Sequence, residues 1–494
     1  MSIVAILDSQ QQGNIQADVL APQFGALAEA YVYPHSITAE DGSLYFLTRQ
    51  KLTKNLVVLS RRPQVQSPDA ESRQFVTVGG QSLTLSIYRQ DAATAAYLRS
   101  RLPWLAPVTL GLRTSVGCGD RLGLATPGHI HAVQQCTRDI APIFAQQSIR
   151  EMMRTSRTPQ NVVDDAAWGV FQEGWRRGFG ADADHLKTTA DIDACVAAGY
   201  TFYTFDPGVY VDNMYDADKY NQLPWHDLES SPGDARRQYR NRFDDTVIER
   251  AFVKYGRAVS HVTRMYRHLA AAMNGVPFEV EVSVDETEQP TTHAEHYIVA
   301  GELRRLGVDW VSLAPRFVGR FEKGVDYIGD LAAFEADCAG HVEVARQWGP
   351  YKLSIHSGSD KFSIYPIVTR LAGEYVHLKT AGTSYLEALR TVARYDAALF
   401  RSIYLLAHEH YAEDRASYHV SADPAQAPDQ HLSGVSDPQV ILDQFDARQM
   451  LHVCFGTILA AYDGDIRRTL VENEESHYAD IQRHFERHLA SFCN

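Results

Sequence analysis

The spacing of hydrophobic positions changes near residue 100. Before it, Ser43–Thr48, Asn55–Ser60 and Ser82–Tyr88 are β-branched, aromatic or alternating, and turn-rich pieces at Arg62–Pro68 and Gly79–Gly80 separate them. This pattern predicts a β-rich or α+β module over residues 1–104, suited to a lid or an oligomerisation surface. From about 105, short apolar runs alternate with longer helical periods. Strands are predicted at Val108–Leu112, Gln146–Glu151, Phe179–His185, Thr201–Phe205, Phe278–Val284, Trp310–Leu313, Lys352–Ile355 and Glu374–His377. Helical periods follow Thr126–Gly128 and recur at 161–177, 240–273, 293–306, 325–348, 362–372 and 384–405. Eight strands with helical crossovers match an α/β TIM-type (β/α)8 barrel over 105–404, with an open doubly wound sheet as the competing architecture. The insertion at 208–273 exceeds an ordinary βα connection, and long barrel loops shape pockets. Residues 405–494 carry helical periods without a strand–helix repeat, which predicts a helical cap.

Composition narrows the function classes. The 494 residues exceed the roughly 250 of a bare barrel, which leaves room for accessory parts. Lys plus Arg is 47 against 61 Asp plus Glu, a net charge of −14. A backbone-tracking nucleic-acid surface needs clustered positive charge and is excluded as an expectation, whereas a small anionic substrate needs only a few cations. No window approaches the roughly 18–20 apolar residues of a membrane span, and Met1–Ile6 lacks the features of a signal peptide. Cysteines 118, 136, 195, 338, 454 and 493 form no CxxC pair. Neither a disulfide framework nor a cysteine-ligated zinc site is expected, and a reducing cytoplasm fits this usage. Cys118, in Gly117–Asp120, is expected as a small buried residue rather than a reactive thiol.

In a (β/α)8 barrel, polar side chains at the C-terminal strand ends face a common mouth. Here those ends carry Asp182–Thr188, then Glu279, Glu281, Asp285 and Glu286, then His356–Lys361 and His377–Thr380. The sequence His-Leu-Lys-Thr, repeated at 185–188 and 377–380, is the most specific feature. His185, His356 and His377 are the expected metal ligands, completed by Glu281 or Asp184. Imidazoles with one or two carboxylates suit Zn, Mn, Fe, Co or Ni better than an all-oxygen magnesium site does. For each histidine the competing role is a structural hydrogen bond. Lys187, Arg316, Lys361 and Lys379 are candidates for a substrate carboxylate, against structural ion pairs with the surrounding acids. Other patterns weigh less. Gly117–Gly123 lacks phosphate-loop spacing, His408 and His410 miss the His-Glu-x-x-His spacing, and His477, His484 and His488 are expected on a solvated helix face.

The segments Gly117–His129, Gly180–Thr188, Ser354–Lys361 and His377–Thr383 together resemble the tagaturonate/fructuronate epimerase family. The resemblance covers most of the chain and is more specific in the barrel than in residues 1–100. It implies interconversion of D-tagaturonate and D-fructuronate, assisted by a divalent metal, in hexuronate catabolism. These ketoacids differ at a carbon β to the ketone, whose hydrogen the ketone does not acidify. Retro-aldol cleavage and re-addition to the other aldehyde face is therefore the favoured chemistry, with Asp184 accepting and Glu281 donating a proton. Competing readings are another metal-dependent sugar or sugar-acid isomerase or aldolase, and a non-catalytic sugar-acid-binding protein. The expected partner is a small hexuronate ketoacid, with no nucleic acid and no membrane, and a homo-oligomer remains open.

Overall fold

Period-two alternation gives the N-terminal sheet two apolar faces, and both are covered. The computed structural model describes residues 3–8, 17–62, 67–214, 217–380 and 382–493. Strands β1 (Tyr31–Val32), β2 (Thr38–Glu40), β3 (Ser43–Gln50), β4 (Thr53–Ser60), β5 (Ser72–Val78) and β6 (Gln81–Arg89) form an antiparallel sheet of order β1-β3-β4-β6-β5, with β2 on β3. Leu44, Phe46, Val57 and Leu59 face the helix Ala17–Ala28 through Phe24, while Tyr45, Leu47, Leu56 and Val58 join the core shared with the barrel. The apolar pattern does not signal β5, because it is a mostly exposed edge strand. The expected turn at Arg62–Pro68 lies largely outside the described residues. No described residue before 105 lines the cavity at the barrel mouth.

Eight parallel strands close the barrel: β7 (Ser115–Gly119), β8 (Ala141–Ser148), β9 (Gly180–Leu186), β10 (Phe202–Phe205), β11 (Glu279–Val284), β12 (Ser312–Pro315), β13 (Lys352–Ile355) and β14 (Val376–Lys379). Pairing of His377 with Ser115 joins β14 back to β7. This is the TIM-type architecture expected from the repeat.

Four strands differ from the expectation, each for a local reason. Val108–Leu112 is apolar but crosses the barrel's N-terminal end as a plug. The Glu279 carboxylate accepts the N–H groups of Leu110 (2.9 Å) and Gly111, and Lys352 Nζ donates to the Gly111 carbonyl at 3.0 Å. Side chains thus replace a strand partner, and the first strand begins at Ser115. The second begins at Ala141 rather than Gln146 and ends at Ser148, whose hydroxyl caps the helix Ile149–Arg154 by accepting the Glu151 N–H at 3.2 Å. Trp310 lies before β12 and packs against Tyr351, 5.4 Å between ring centres, while the half-exposed Tyr375 precedes β14. Both strands therefore start two residues later than their apolar runs.

The helix Ala397–Asp414 runs through the expected 404/405 boundary and shares a core with Thr383–Tyr395 and Phe455–Glu472 through Leu386, Phe400 and Ile458. The helix Glu474–Leu489 packs so closely on Thr126–Gln134 that a Cβ at Gly128 would lie 2.6 Å from the Ile481 side chain. His477, His484 and His488 are therefore buried, not solvated as expected. His488 Nε2 accepts the Asp360 N–H at 2.9 Å, and its Nδ1–H reaches the His484 carbonyl at 2.9 Å. Cys136 and Cys493 form a disulfide across a separation of 357 residues, a single bridge where no disulfide framework was expected; such distant cysteines leave no spacing signature. Among the described residues, no helix is long and apolar enough to cross a membrane.

Burial pushes His129 and His488 down from 6.5 to about 3. Folded, each stays neutral while its unfolded counterpart takes up a proton near pH 6.5, so between those values the unfolded state binds more protons. This contribution to stability is complete above about pH 6.5 and is lost as the pH falls towards 3. Urea midpoints measured at about pH 7.5 and about pH 5 are expected to be lower at the acid value; equal midpoints would contradict it.

Candidate active site

Alternation along the strands builds the barrel interior. On β11, Val280, Val282 and Val284 face the helices, leaving Glu279, Glu281 and Ser283 inside, with Asp285 next in the series. Likewise Asp182 and Asp184 point inward from β9, Lys352 and Ser354 from β13, and His377 and Lys379 from β14. Near the plugged end, His377 Nδ1 lies 2.9 Å from Ser115 Oγ, and its ring sits 5.4 Å from that of Phe202. Two residues on, Lys379 Nζ stands 2.9 Å from a carboxylate oxygen of each of Asp182, Asp184 and Glu281, and donates to Thr204 Oγ1 at 2.7 Å. One ammonium thus faces three buried carboxylates. Burial, with the charges of Asp184 and Glu281, pushes the Asp182 carboxyl up. At Asp184 burial is outweighed by His185 and Lys379, and at Glu281 by Lys379 and His356, so both are held well below the usual carboxylate range.

At the mouth, His185 adopts a left-handed backbone (φ 57°) where the β9–β10 register slips. This bulge turns a side chain that alternation would send outward with Ala183 back towards the axis. His185 Nδ1 lies 2.6 Å from Asp184 Oδ1 and its Nε2 3.9 Å from Glu286 Oε1. His356 Nε2 lies 2.6 Å from Glu281 Oε1 and its Nδ1 3.2 Å from Asp285 Oδ1. Ligand atoms of His185, Asp285 and His356 all fall within 4.8 Å of one another. Each imidazole has a carboxylate behind one nitrogen and the shared point before the other, which is how proteins orient metal-binding histidines. Burial disfavours a charged His356, but Asp285 and Glu281 outweigh it and hold the ring up to about 10. The position therefore retains positive charge strongly, and a two-nitrogen, one-oxygen donor set fits a transition-metal cation in place of protons.

A cavity of about 560 Å³ opens over these groups, walled by Arg121, Arg150, Glu151, Arg316, Lys323 and Tyr418 among others. Arg121 donates Nε and Nη2 to one Glu151 oxygen (2.8 and 2.6 Å) and lies 3.6 Å over the Phe455 ring. Gly382 (φ 67°) makes room for it, since a Cβ there would lie 2.3 Å from the guanidinium carbon. Lys323 Nζ donates to Ser357 Oγ at 2.7 Å, and no carboxylate among the described residues lies within ion-pair distance of it. Burial, and the charge of Arg150, push its ammonium pKa down.

Of the expected ligands, His185 and His356 come together and His377 does not. Because β14 starts at Val376, His377 falls in its deeper half, and Asp285 stands where a third ligand was sought. Asp184 lines the cavity, but Glu281 is wholly buried beneath it and cannot hand a proton to a bound molecule directly. Arg316 lines the cavity. Lys379 reaches it, yet its ammonium is taken by the three carboxylates. Lys187 pairs with Asp206 (3.0 Å) and Glu286 (3.5 Å) beside the cavity. Lys361 points away: its Nζ donates to the carbonyls of Glu322 (2.7 Å), Val325 (2.6 Å) and Ser359 (2.9 Å), bracing the loop that carries Lys323. Arg121 and Lys323 escaped notice because they lie on loops outside the strand-end pattern, whereas Arg150 and Glu151, placed in the expected strand 146–151, belong to the short helix Ile149–Arg154 that follows β8. Cys118 is buried, and burial pushes its thiol up, away from reactivity.

The sequence pattern of the tagaturonate epimerase family matches residues 33–492. The chain belongs to the tagaturonate epimerase family. Among members of that family, it is 39% identical over 470 residues to a tagaturonate/fructuronate epimerase of Thermotoga maritima, covering 93% of this chain and 96% of that one. The native crystal structure of a fructuronate-tagaturonate epimerase from Cohnella laeviribosi superposes with a TM-score of 0.84 at 34% identity, covering 96% of this chain and 99% of that one. The same enzyme with two glycerols bound gives 0.83 at 33% identity, covering 97% and 99%.

Removing one partner of a buried charge cluster leaves the others uncompensated, at a cost of about 3–5 kcal/mol. Lys379→Met is expected to lower the urea midpoint by that equivalent; a variant within about 0.5 kcal/mol of the parent would contradict the role given to Lys379.

Proposed function

We propose that this chain is a divalent-metal-dependent epimerase interconverting D-tagaturonate and D-fructuronate by retro-aldol cleavage and re-addition. The observation that carries this reading is the convergence of His185, Asp285 and His356, with a carboxylate behind each imidazole. The names of the related enzymes support the substrate pair. His185 Nε2, His356 Nδ1 and Asp285 would hold the cation, with Glu286 alongside, and Zn, Mn, Fe, Co or Ni suit these donors. When bound, such a cation supplies Lewis-acid polarisation of substrate oxygens.

The remaining roles belong to the chain's own groups. Asp184, ionised and lining the cavity, takes the proton of the substrate hydroxyl as the adjacent C–C bond breaks. The aldehyde fragment turns, the bond re-forms on its other face, and Asp184 returns the proton it took to the new alkoxide. Glu281 acts from behind as a positioning residue for His356. Both fragments must stay bound for the centre to invert, so the substrate carboxylate needs a firm anchor. Lys323, with Arg150 and Arg316 on the same cavity wall, provides it, since Lys323 is a half-buried ammonium lacking a counter-ion among the described residues.

Metal-loaded protein incubated with D-tagaturonate is expected to produce D-fructuronate by NMR, with turnover lost on chelation and restored by a divalent ion. Full turnover without metal would overturn the metal dependence, and release of two separate fragments would overturn the epimerase reading in favour of an aldolase. Lys323→Met is expected to raise KM for the hexuronate about tenfold to hundredfold, as loss of a charged hydrogen bond does. An unchanged KM would remove Lys323 from the anchor.

A further inference from the structure

A second group of metal-ligating side chains lies on the outer face of the barrel. His293 opens the helix His293–Arg305, and Asp337 and His341 stand one turn apart on the helix Leu331–Trp348. We propose that His293, Asp337 and His341 form a second divalent-cation site, of the zinc class, that clamps these two helices and the loop after β12.

The spacing fits such an ion. His293 Nε2 lies 3.3 Å and His341 Nε2 3.6 Å from Asp337 Oδ1, and the three ligand atoms fall within 4.8 Å of one another. With zinc bonds of roughly 2.0–2.1 Å, tetrahedral ligand atoms stand about 3.3–3.4 Å apart. The His341 ring is fully buried, and its Nε2, aimed at this point, has no hydrogen-bond partner. Its Nδ1 lies 2.9 Å from His296 Nδ1, and His296 Nε2 lies 2.8 Å from the Tyr351 hydroxyl. If Nδ1–H donates to His296, the Nε2 lone pair faces the point shared with His293 and Asp337, and His296 and Tyr351 orient the ligand from behind. Burial keeps His341 and His296 neutral, as ligation requires. Gly340 gives the His293 ring its seat, since a Cβ there would lie 2.1 Å from it. His293 Nε2 now donates to the Asp337 carbonyl at 3.0 Å; on binding the ring takes the tautomer protonated at Nδ1, and the Nε2 lone pair turns to the cation. His293 is half-exposed, so the fourth position opens to water.

The clamp reaches the active-site wall. Asp337 Oδ2 accepts the Val318 N–H at 3.0 Å, and Phe317, which lines the cavity, packs edge-on against His341 at 5.2 Å. A cation here would fix the β12 loop that also carries Arg316, without touching substrate.

The test is zinc stoichiometry by equilibrium dialysis and elemental analysis of the full chain, with His185→Ala used to empty the catalytic position. The parent is expected to bind two equivalents, His293→Ala one, His185→Ala one and the double variant none. Zinc should raise the Tm of His185→Ala and leave that of the double variant unchanged, with Asp337→Asn as a second variant should His293→Ala be unstable. Loss of one equivalent in His293→Ala but none in His185→Ala would support this site and sink the catalytic one. Undiminished binding in both His293→Ala and Asp337→Asn, or no zinc bound by His185→Ala, would overturn the proposal.

Discussion

The interior of this barrel depends on one buried ammonium. Lys379 meets Asp182, Asp184 and Glu281 at 2.9 Å each, where charges taken out of water are tolerated only if paired. It leaves the cluster short of positive charge. Asp184 and Glu281 extend that deficit to the mouth through His185 and His356, so both imidazoles are set by carboxylates that the lysine itself sets. The barrel's closure, the inward alternation of its strands and the bulge at His185 serve to bring these groups together.

Around this centre the C-terminal helices act as a brace. Asp360, on the loop after β13, bonds Arg448 at 2.9 Å and, through its N–H, His488. Lys361 ties the same loop to the segment bearing Lys323. The loops forming the cavity wall are thus held by side chains that touch no substrate, as a preorganised site requires.

Much of this was legible in the sequence, and what was hidden has physical causes. The strict alternation over Phe278–Val284 placed β11 to within a residue and put Glu281 inside. Asp285, already among the strand-end acids and next in the same inward series, is the group that faces His356, yet the sequence assigned it no ligand role. His377 misled because apolar content marks where a strand is buried and not where pairing begins, and a two-residue shift moved it from mouth to interior. The run Val108–Leu112 misled for the converse reason: a plug whose amides are bonded by Glu279 carries the same apolar signal as a strand. Lys361 was picked for its strand-end position, yet its ammonium serves three carbonyls, and Lys323 was missed because a loop lysine leaves no periodic trace.

The most direct test of the shared-centre claim is a crystal soaked in manganese and read by anomalous scattering. A peak bonded to His185 Nε2, Asp285 and His356 Nδ1 is expected, with Asp184 and Glu281 behind the rings and Lys379 bonded only to carboxylates and Thr204. A peak ligated by His377, or soaked protein in which His185 and His356 share no cation, would contradict it.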